Sequence, residues 1–398
     1  MARSDHTLFW LAAASFASMA SMRICDPMLP ALAADFGIAA ASAAGVVTLY
    51  TIGYGFSQLV HGPLGDHFGK ARYIAGATLI AALSSLLCAL APGLATLELA
   101  RLLTGSIAAA IIPLSMAWIG DTVPYGERQA TLAKFLNGTI LGLILGQTMG
   151  GILADTLGWR VAFVLLGAIF AVAGLKLRAV LRNGQVSAEP ALASRPAAAG
   201  ALSRYAQVAR VPWARTILVI VMLEGLLAFG AIAFIPTSLH ERAGLPIWLA
   251  GTTMASYGLG GFLYTLSAAR LVRRLGEQGL ALGGGLVLAV GFGLIAAMPG
   301  LVSGALACML LGLGYHMLHN TLQTNATQMA PAVRGTAVAL FAMSLFIGQS
   351  AGVTLAAQVL VQSGYPLLFG AAAAGLAATG LLFAWLLRNR ASHPAAPG

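Results

Sequence analysis

The sequence has little charge, little cysteine and no long polar region that could form a soluble domain. Charged residues make up 9% of its 398 residues, whereas an ordinary soluble domain has about 25%. Hydrophobic residues account for 59% of the chain, so its polar side chains cannot cover a water-facing surface. These proportions exclude a soluble globular protein and predict an all-α polytopic membrane protein.

Catalytic and metal-binding signatures are also missing. Cys25, Cys88 and Cys308 fall within apolar segments at spacings that fit neither a disulfide framework nor a zinc site. The chain contains no Gly-x-x-x-x-Gly-Lys-Ser/Thr phosphate loop, which argues against ATP-driven transport. No Ser/His/Asp cluster stands in a recognisable context. We therefore expect no metal, no cofactor and no enzymatic activity.

The net charge of +10 does not indicate nucleic-acid binding, because of where the basic residues fall. Nearly all of them lie at the termini or in alternate loops between apolar segments, and only Arg160 and Arg242 fall in the opposite loops. This asymmetry follows the positive-inside rule and predicts that both termini are cytoplasmic. The expected partner is the lipid bilayer and not nucleic acid.

Hydropathy and loop charge predict twelve membrane spans of about 20 residues each. Spans 1 to 12 are placed near residues 8–34, 44–63, 72–92, 95–121, 132–154, 160–181, 213–238, 247–269, 279–298, 302–327, 335–361 and 365–387. Residues 183–212 are rich in Ala, Pro, Ser and Arg, which is typical of a linker. The predicted organisation is a six-helix bundle over 1–182, a cytoplasmic linker over 183–212, a second six-helix bundle over 213–390 and a cytoplasmic tail over 391–398.

The two predicted bundles are related in sequence. Adding 206 to a residue number in the first half often gives an equivalent residue in the second half. The pairs include Pro30 with Pro236, Gly55 with Gly261, Arg128 with Arg334, Gly142 with Gly348, and Gly158 with Gly364. One offset over so much of the chain predicts two pseudo-symmetric six-helix repeats in parallel orientation.

A charged turn is predicted between spans 2 and 3, in the sequence Gly62-Pro63-Leu64-Gly65-Asp66-His67-Phe68-Gly69-Lys70-Ala71-Arg72. It resembles the loop motif of the major facilitator superfamily, Gly-x-Leu-x-Asp-Arg-x-Gly-Arg-Arg. Five positions match, namely Gly62, Leu64, Asp66, Gly69 and Lys70. His67 stands where the motif has Arg, and the second base is displaced to Arg72.

Span 5 carries a second resemblance to this superfamily. Gly142-x-x-x-Gly146-Gln147-x-x-Gly150-Gly151 is similar to the antiporter motif Gly-x-x-x-Gly-Pro-x-x-Gly-Gly, with Gln147 in place of the Pro. These glycines predict close packing of span 5 on a neighbouring helix, with span 8 of the other half as the expected partner. The sequence Gly158-Trp159-Arg160-x-x-Phe163 that follows also resembles efflux members of the superfamily.

The resemblance extends from Leu8 to about Arg390 and implies a twelve-helix secondary transporter of the bacterial inner membrane. The chain is most similar to the efflux branch, which exchanges drugs or metabolites for protons by alternating access. The proton gradient would supply the energy, the partners would be a small molecule and protons, and the transporter would be monomeric. Two other functions stay open: a symporter or uniporter that imports a small solute, and a membrane receptor or scaffold that does not transport.

Two acids within apolar spans are candidates for proton coupling, because charges at this depth are costly unless paired or hydrated. Asp26 follows Arg23 by three residues in span 1, beside prolines that are expected to kink the helix. Glu224 lies near the middle of span 7 with no basic residue nearby in sequence. Each acid would bind a proton or a substrate cation. The alternative is a structural role, in which Asp26 forms a static ion pair with Arg23 and Glu224 is permanently protonated.

Arg101 in span 4 stands four residues before Gly105, a spacing that resembles a superfamily motif linked to proton transfer. Because arginine does not give up its proton, its expected role is electrostatic, on a neighbouring acid. The alternative is an arginine that extends to the outer interface.

Two polar stripes complete the candidate cavity. Span 10 carries one on a single helical face, and span 2 carries the other. In this superfamily spans 1, 4, 7 and 10 line the central cavity, so the resemblance implies that the span 10 stripe faces it. The substrate-cavity candidates are Arg23, Asp26, Tyr50, Tyr54, Glu224, His316, His319, Asn320 and Gln323. Packed polar residues are the alternative, and the two histidines lack the additional ligands of a metal site.

A cytoplasmic gate is predicted from the charged turn and from charges near spans 4, 5 and 11. Its members are Gly62, Gly65, Asp66, Gly69, Lys70, Arg72, Asp121, Arg128 and Arg334. Ion pairs among them would hold the inner side closed, each weak alone. Anchoring by the positive-inside rule is the alternative.

Overall fold

The computed structural model describes residues 2–182 and 197–392, and these residues contain helices and no strand. Its contacts divide the chain into two compact units. Unit 1 consists of Met1–Arg204 and Pro246–Thr252, and unit 2 consists of Tyr205–Leu245 and Thr253–Gly398. Large apolar side chains such as Leu83, Leu266 and Val302 are exposed on the surfaces of the helices. Such exposed apolar surface is expected in contact with lipid.

Unit 1 contains the first eight helices. They are α1 (Ala2–Arg23), α2 (Leu29–Phe36), α3 (Gly45–Phe68), α4 (Lys70–Ala89), α5 (Leu94–Ala108), α6 (Ile111–Thr122), α7 (Tyr125–Thr156) and α8 (Trp159–Arg182). Short 3-10 turns at Asp26–Met28 and Ser42–Ala44 precede α2 and α3.

The remaining helices follow in chain order. They are α9 (Ala197–Arg210), α10 (Pro212–Glu224), α11 (Gly230–Ile232), α12 (Ile235–Ala243), α13 (Ile247–Thr253), α14 (Ala255–Ala297), α15 (Leu301–Ala326) and α16 (Arg334–Ser392). A π-helical turn at Gly225–Phe229 joins α10 to α11, and a 3-10 turn at Pro331–Val333 precedes α16.

Among the described residues, ten helical segments are long and apolar enough to cross a membrane. Two of these segments are too long for one crossing, since α14 has 43 residues and α16 has 59, whereas about 20 residues suffice. Each is interrupted where two helices meet at a glycine, Gly276 in α14 and Gly364 in α16. Division at these glycines gives twelve spans, so the predicted fold class is confirmed.

Prolines explain where spans 1 and 7 are broken. Pro27 and Pro30 cannot donate the backbone hydrogen bonds that would continue α1, which ends at Arg23 before the 3-10 turn. Pro236 occupies the first turn of α12, where a missing N–H is tolerated. Span 1 therefore consists of α1 and α2, and span 7 consists of α10, the π-turn, α11 and α12.

The described part of the predicted linker is helical. Helix α9 covers Ala197–Arg210 within the predicted linker 183–212, and α10 begins at Pro212 after the extended residue Val211. Residues 183–196 of that linker, and residues 393–398 of the predicted tail, lie outside the described residues.

The backbone supports the internal repeat. Six glycines have positive φ, and they form three pairs that are 206 or 207 residues apart: Gly37 with Gly244, Gly69 with Gly276, and Gly158 with Gly364. A positive φ at the end of a helix favours glycine, so each pair marks the same helix end in both units. Each unit thus has the same sequence of helix ends.

Close helix contacts follow the same repeat and correct the single predicted offset. A Cβ on Gly142 would meet the backbone of Phe16, and a Cβ on Gly348 would meet the backbone of Met222. Both the glycines and their contacts are thus 206 residues apart. For spans 2 and 4 the offset is 207. A Cβ on Gly53 would meet Leu102, and a Cβ on Gly260 would meet Met309, which lie 207 residues after the first pair. The predicted pair Gly55 and Gly261 is therefore wrong by one residue. The cause is α12, which has nine residues where α2 has eight.

An aromatic side chain binds an acid at the same place in both units. The Trp159 Nε1–H donates to Asp35 Oδ2 over 3.0 Å, and the Tyr365 hydroxyl donates to Glu241 Oε2 over 2.8 Å. Both aromatic residues directly follow a glycine with positive φ, and both acids lie near the end of the first span of their unit. This pairing connects the first span of each unit to its sixth.

Candidate functional site

A short polar contact in unit 2 joins Glu224 to His319. Glu224 is the last residue of α10 and is 0% exposed, and its Oε2 lies 2.7 Å from His319 Nδ1 on α15. The other oxygen, Oε1, is buried without a hydrogen-bond partner. No basic residue stands near Glu224 in the sequence, and the structure brings His319 to it from 95 residues further along the chain.

Aromatic rings fix the orientation of His319. Its ring stacks on Tyr315 at a centroid distance of 4.8 Å and lies 5.4 Å from Phe341 of α16. The His319 side chain is 13% exposed, in contrast to the fully buried Glu224. The imidazole is therefore the more accessible partner of the pair.

The backbone beside Glu224 is irregular and packs closely on α16. The π-turn Gly225–Phe229 starts at the next residue, and such turns occur frequently at functional sites. A Cβ on Gly225 would lie 3.1 Å from the backbone N of Gln349. The Gln349 side chain is fully buried, and its Nε2 and Oε1 have no hydrogen-bond partner. Sequence reasoning missed Gln349, although an amide in an apolar span next to Gly348, the repeat partner of Gly142, was a usable signal.

The polar cluster of unit 1 is built around Asp26. This residue opens the 3-10 turn after α1 and is fully buried. Arg23 Nη1 lies 3.5 Å from Asp26 Oδ2, and the Gln147 amide of α7 donates to the same oxygen over 3.3 Å. Sequence analysis treated Gln147 only as a substitute for a motif proline, so its contact with Asp26 was missed.

Arg101 is fully buried in unit 1 and does not extend to an interface. Its Nε donates to the Val46 carbonyl over 3.1 Å, and its Nη1 donates to the carbonyl of Ser21 over 2.8 Å. The guanidinium lies 4.1 Å from the centre of the Tyr50 ring. These contacts tie α1, α3 and α5 together, and none of them is made to a carboxylate.

The two tyrosines of the span 2 stripe are buried in unit 1. The Tyr50 hydroxyl donates to the Ser18 carbonyl over 3.2 Å, and its ring stacks on Tyr54 at 6.1 Å. Tyr50 therefore contacts both Arg101 and α1. These contacts match the alternative of packed polar residues in unit 1.

The span 10 stripe divides between two neighbours. His316 Nδ1 bonds the Gly312 carbonyl over 2.7 Å, and a Cβ on Gly261 of α14 would meet the His316 ring. His319 instead contacts Glu224. Asn320 is half-buried and Gln323 is exposed on the following turn of α15.

The predicted charged turn is shorter than expected. Helix α3 continues to Phe68 and α4 begins at Lys70, so Gly69 with φ of 84° is the whole connection. Gly62 and Gly65 are therefore helical residues, and the loop prediction for them is wrong. Gly65 packs against the Leu114 side chain, so there is little room for a Cβ at this position.

The charges beside this turn form one cluster. Lys70 Nζ lies 2.9 Å from Asp66 Oδ1 and 2.9 Å from Asp121 Oδ2, which brings the ends of α3, α4 and α6 together. Arg72 is exposed. Arg128 donates to the Val123 carbonyl over 3.4 Å, and Arg334 opens α16 in unit 2.

The glycines of span 5 form a close helix contact as predicted, but three of the four meet span 1 and not the expected span 8. Cβ atoms on Gly142, Gly146 and Gly150 would meet the backbone of α1 or of Ile24 just after it, so α7 lies directly against span 1. Gly151 faces Ile247 in the segment Pro246–Thr252, which belongs to unit 1.

The chemistry available in these clusters is proton exchange and hydrogen bonding. Among the described residues, each unit holds one fully buried acid with one oxygen lacking a hydrogen-bond partner, Asp26 in unit 1 and Glu224 in unit 2. Within residues 2–182 and 197–392, no group of three or more His, Cys, Asp or Glu could hold a metal ion.

Curated relatives of this chain are described as transporters. It is 32% identical to the uncharacterised transporter YgaY of Escherichia coli O157:H7 over 163 residues, which is 40% of each chain. It is 25% identical to the uncharacterised MFS-type transporter YceJ of Bacillus subtilis over 340 residues, 84% of each chain. Over 155 residues it is 27% identical to the multidrug export protein EmrB of Haemophilus influenzae, covering 39% of this chain and 30% of EmrB. The match to YgaY thus spans about two fifths of that relative.

Solved transporters share the fold at low sequence identity. A variant of the nucleoside transporter NupG matches with a TM-score of 0.79 and 14% identity over 95% of this chain and 98% of NupG. A variant of the peptide transporter POT matches with a TM-score of 0.78 and 16% identity over 96% of this chain and 94% of POT. The family model described as Major Facilitator Superfamily matches residues 11–353. Since that model covers most of the chain, this protein belongs to the Major Facilitator Superfamily.

Proposed function

We propose that the protein is a secondary transporter that exports a small molecule in exchange for protons, and that Glu224 binds the coupling proton. The observation that carries this proposal is the contact between Glu224 and His319. A fully buried carboxyl has one oxygen bonded to an imidazole and the other oxygen without a partner. An ionisable group inside a membrane span is a functional candidate by default.

The geometry suggests how protonation changes the site. A proton that reaches Oε1 of Glu224 neutralises the carboxyl without first displacing His319 from Oε2. Charge-assisted hydrogen bonds are roughly twice as strong as neutral ones, so neutralisation weakens the hold on the imidazole. In the proposed cycle, protonation from outside releases the exported molecule, and deprotonation inside permits the next one to bind.

Two observations favour export over import in this proposal. The glycine run on α7, which packs closely on span 1, resembles the antiporter motif, and the sequence is similar to a multidrug export protein over part of its length. The structural similarity to NupG and POT lies below 20% identity and supports the fold alone. We propose no substrate class from those names.

The remaining expectations are part of the same proposal. The positive loop asymmetry supports an inner-membrane location with both termini in the cytoplasm. The cluster of Lys70, Asp66 and Asp121 would then lie on the cytoplasmic side as a gate. Residues 1–182 and 213–390 are proposed as the two bundles, and the protein as a monomer.

Proteoliposomes with an internal pH dye test the proposal. Purified wild type, Glu224→Gln and the control Glu98→Gln, another acid within a span, would be exposed to a panel of drugs and metabolites. Opposed proton and substrate fluxes that are lost only in Glu224→Gln would support antiport through this acid. Parallel fluxes would indicate a symporter, and substrate flux without proton movement in any variant would refute proton coupling.

A further inference from the structure

One end of unit 2 is strongly basic. Spans 7, 9 and 11 begin at this end and spans 8, 10 and 12 finish there, because consecutive spans cross in opposite directions. Arginines stand near the ends of spans 7, 8, 11 and 12 that lie here, and unit 2 contains no lysine. Among the described residues of this end, Glu277 is the sole acid. The positive charge therefore exceeds what the acids of this end can neutralise.

The internal repeat shows how this end of unit 2 differs from unit 1. Arg273 and Glu277 take the places of Asp66 and Lys70, 207 residues earlier, so the charges are inverted. Lys70 lies in contact with two carboxylates. In the part of unit 2 that the structure describes, no ion pair joins Arg273 to Glu277, and Glu277 Oε2 instead accepts a hydrogen bond of 3.0 Å from Asn325. The acid of this end thus binds a neutral amide and not an arginine.

Arg390, near the end of span 12, is held by an aromatic ring. Its guanidinium carbon lies 4.4 Å from the centre of the Trp213 ring, which in turn stacks on Phe383 at 6.4 Å. Its Nη1 lies 3.5 Å from Asn325 Oδ1, which is too long for a strong hydrogen bond. The Arg390 side chain is exposed. The guanidinium is therefore oriented by Trp213, while its charge and most of its N–H donors face no carboxylate.

Two more arginines flank Trp213 in the sequence. Helix α9 ends at Arg210, and Arg215 lies in the first turn of α10, which begins at Pro212. Both arginines are exposed. The start of α10 adds the partial positive charge of a helix N-terminus. Three arginines and a helix start thus surround one tryptophan at the beginning of span 7.

This combination of groups fits a phosphate at a membrane surface. The guanidinium fork matches two phosphate oxygens, and it is more weakly hydrated than the ammonium group of lysine. Tryptophan is enriched where membrane spans reach the headgroup region. The anions concentrated at that depth are the phosphates of anionic lipids, which attract basic residues beside the ends of spans.

We infer that unit 2 binds the phosphate of an anionic phospholipid at Arg390, with Trp213 as the positioning residue and with Arg210 and Arg215 adding positive charge. The lipid would connect the start of span 7 to the end of span 12. This inference goes beyond the proposed export, since it requires neither proton coupling nor a particular substrate.

Native mass spectrometry of the full-length protein in detergent tests the inference. Phosphatidylglycerol or phosphatidylcholine would be titrated into wild type, Arg390→Gln and the matched control Arg178→Gln, which removes an exposed arginine near the end of α8 in unit 1. We expect wild type to bind phosphatidylglycerol more tightly than phosphatidylcholine. Arg390→Gln should bind phosphatidylglycerol about fivefold more weakly, which corresponds to about 1 kcal/mol for one basic residue at a membrane surface. Arg178→Gln should bind it as wild type does.

Three outcomes would overturn the inference. Equal losses in Arg390→Gln and Arg178→Gln would mean that diffuse positive charge attracts the lipid. Equal binding of the two lipids by wild type would mean that the anionic headgroup is not recognised. Displacement of phosphatidylglycerol by inorganic phosphate at low millimolar concentration would mean that the site takes free phosphate and not a lipid headgroup.

Variants that keep the net charge test the geometry of the site. Arg390→Lys retains the charge without the fork, and Trp213→Leu retains Arg390 without the ring, so both should weaken the binding of phosphatidylglycerol. Trp213→Phe keeps a ring and should restore most of the affinity. Wild-type affinity in both Arg390→Lys and Trp213→Leu would refute the proposed geometry. If Trp213→Leu does not fold, Arg390→Lys alone decides.

Discussion

Substitution of Gly146 by alanine should separate α1 from α7, and the structure sets the size of the effect. A Cβ on Gly146 would lie 2.6 Å from Ala20 Cα and 2.7 Å from the Ala20 carbonyl oxygen. Both are backbone atoms of α1, so no flexible side chain can move away. Ordinary van der Waals contact requires 3.4–4 Å, so the two helices must move apart by roughly 1 Å.

Two opposing terms decide the sign of the change in stability. Overpacking of this kind typically costs about 1–3 kcal/mol, whereas replacing a helical glycine by alanine gains about 0.5–1 kcal/mol. Gly146→Ala should therefore lower the free energy of unfolding by up to about 2.5 kcal/mol. Gly352→Ala in unit 2 should have a similar effect, because its Cβ would lie 2.7 Å from Leu226 Cα.

The control is a glycine with open space around it. Gly76 lies within α4 and has no atom within 4 Å of the position that a Cβ would take. Gly76→Ala should be neutral or stabilising by up to about 1 kcal/mol. Thermal unfolding in detergent, followed by tryptophan fluorescence, would compare the three variants. Equal stability of Gly146→Ala and Gly76→Ala would refute the packing argument.

Three further predictions concern the polar contacts. Arg101→Lys should reduce the yield of folded protein sharply, measured by size-exclusion chromatography, because a lysine cannot reproduce the fork that reaches both Val46 and Ser21; a normal yield would contradict this. Lys70→Ala should lower the free energy of unfolding by no more than about 1 kcal/mol, because both partners are more than half exposed; a larger loss in thermal unfolding would mean that the cluster holds the fold. Trp159→Phe should lower the free energy of unfolding by about 1–3 kcal/mol, because it removes a hydrogen bond to the Asp35 carboxylate. Chemical unfolding would measure this loss. The control Trp248→Phe alters a tryptophan with an exposed side chain and should change the free energy of unfolding by no more than about 0.5 kcal/mol.

Features that depend on local composition were predictable from the sequence. Apolar runs in lipid must form helices, because the backbone has no other hydrogen-bond partners there. The glycines of span 5 predicted a close helix contact, and the structure places Gly142, Gly146 and Gly150 against the first span of the unit. The repeat offset also indicated equivalent helix ends, although one extra residue in α12 displaced it by one in part of the chain.

Features that depend on long-range register were not predictable. Glu224 and His319 are 95 residues apart, and Asp26 and Gln147 are 121 residues apart. One sequence contains no record of which helical faces meet, so neither pair could be assigned. The bond between Trp159 and Asp35 was missed for the same reason, although its repetition at Tyr365 and Glu241 now makes it recognisable.

The central claim is that Glu224 couples substrate movement to protons, and one comparison tests it most directly. Net transport driven by a pH gradient and exchange of labelled for unlabelled substrate without a gradient would be measured in the same proteoliposomes. For Glu224→Gln we predict loss of net transport with exchange preserved, because exchange needs a binding site and alternating access but no proton. Loss of both activities in a folded variant, or retention of both, would contradict the claim.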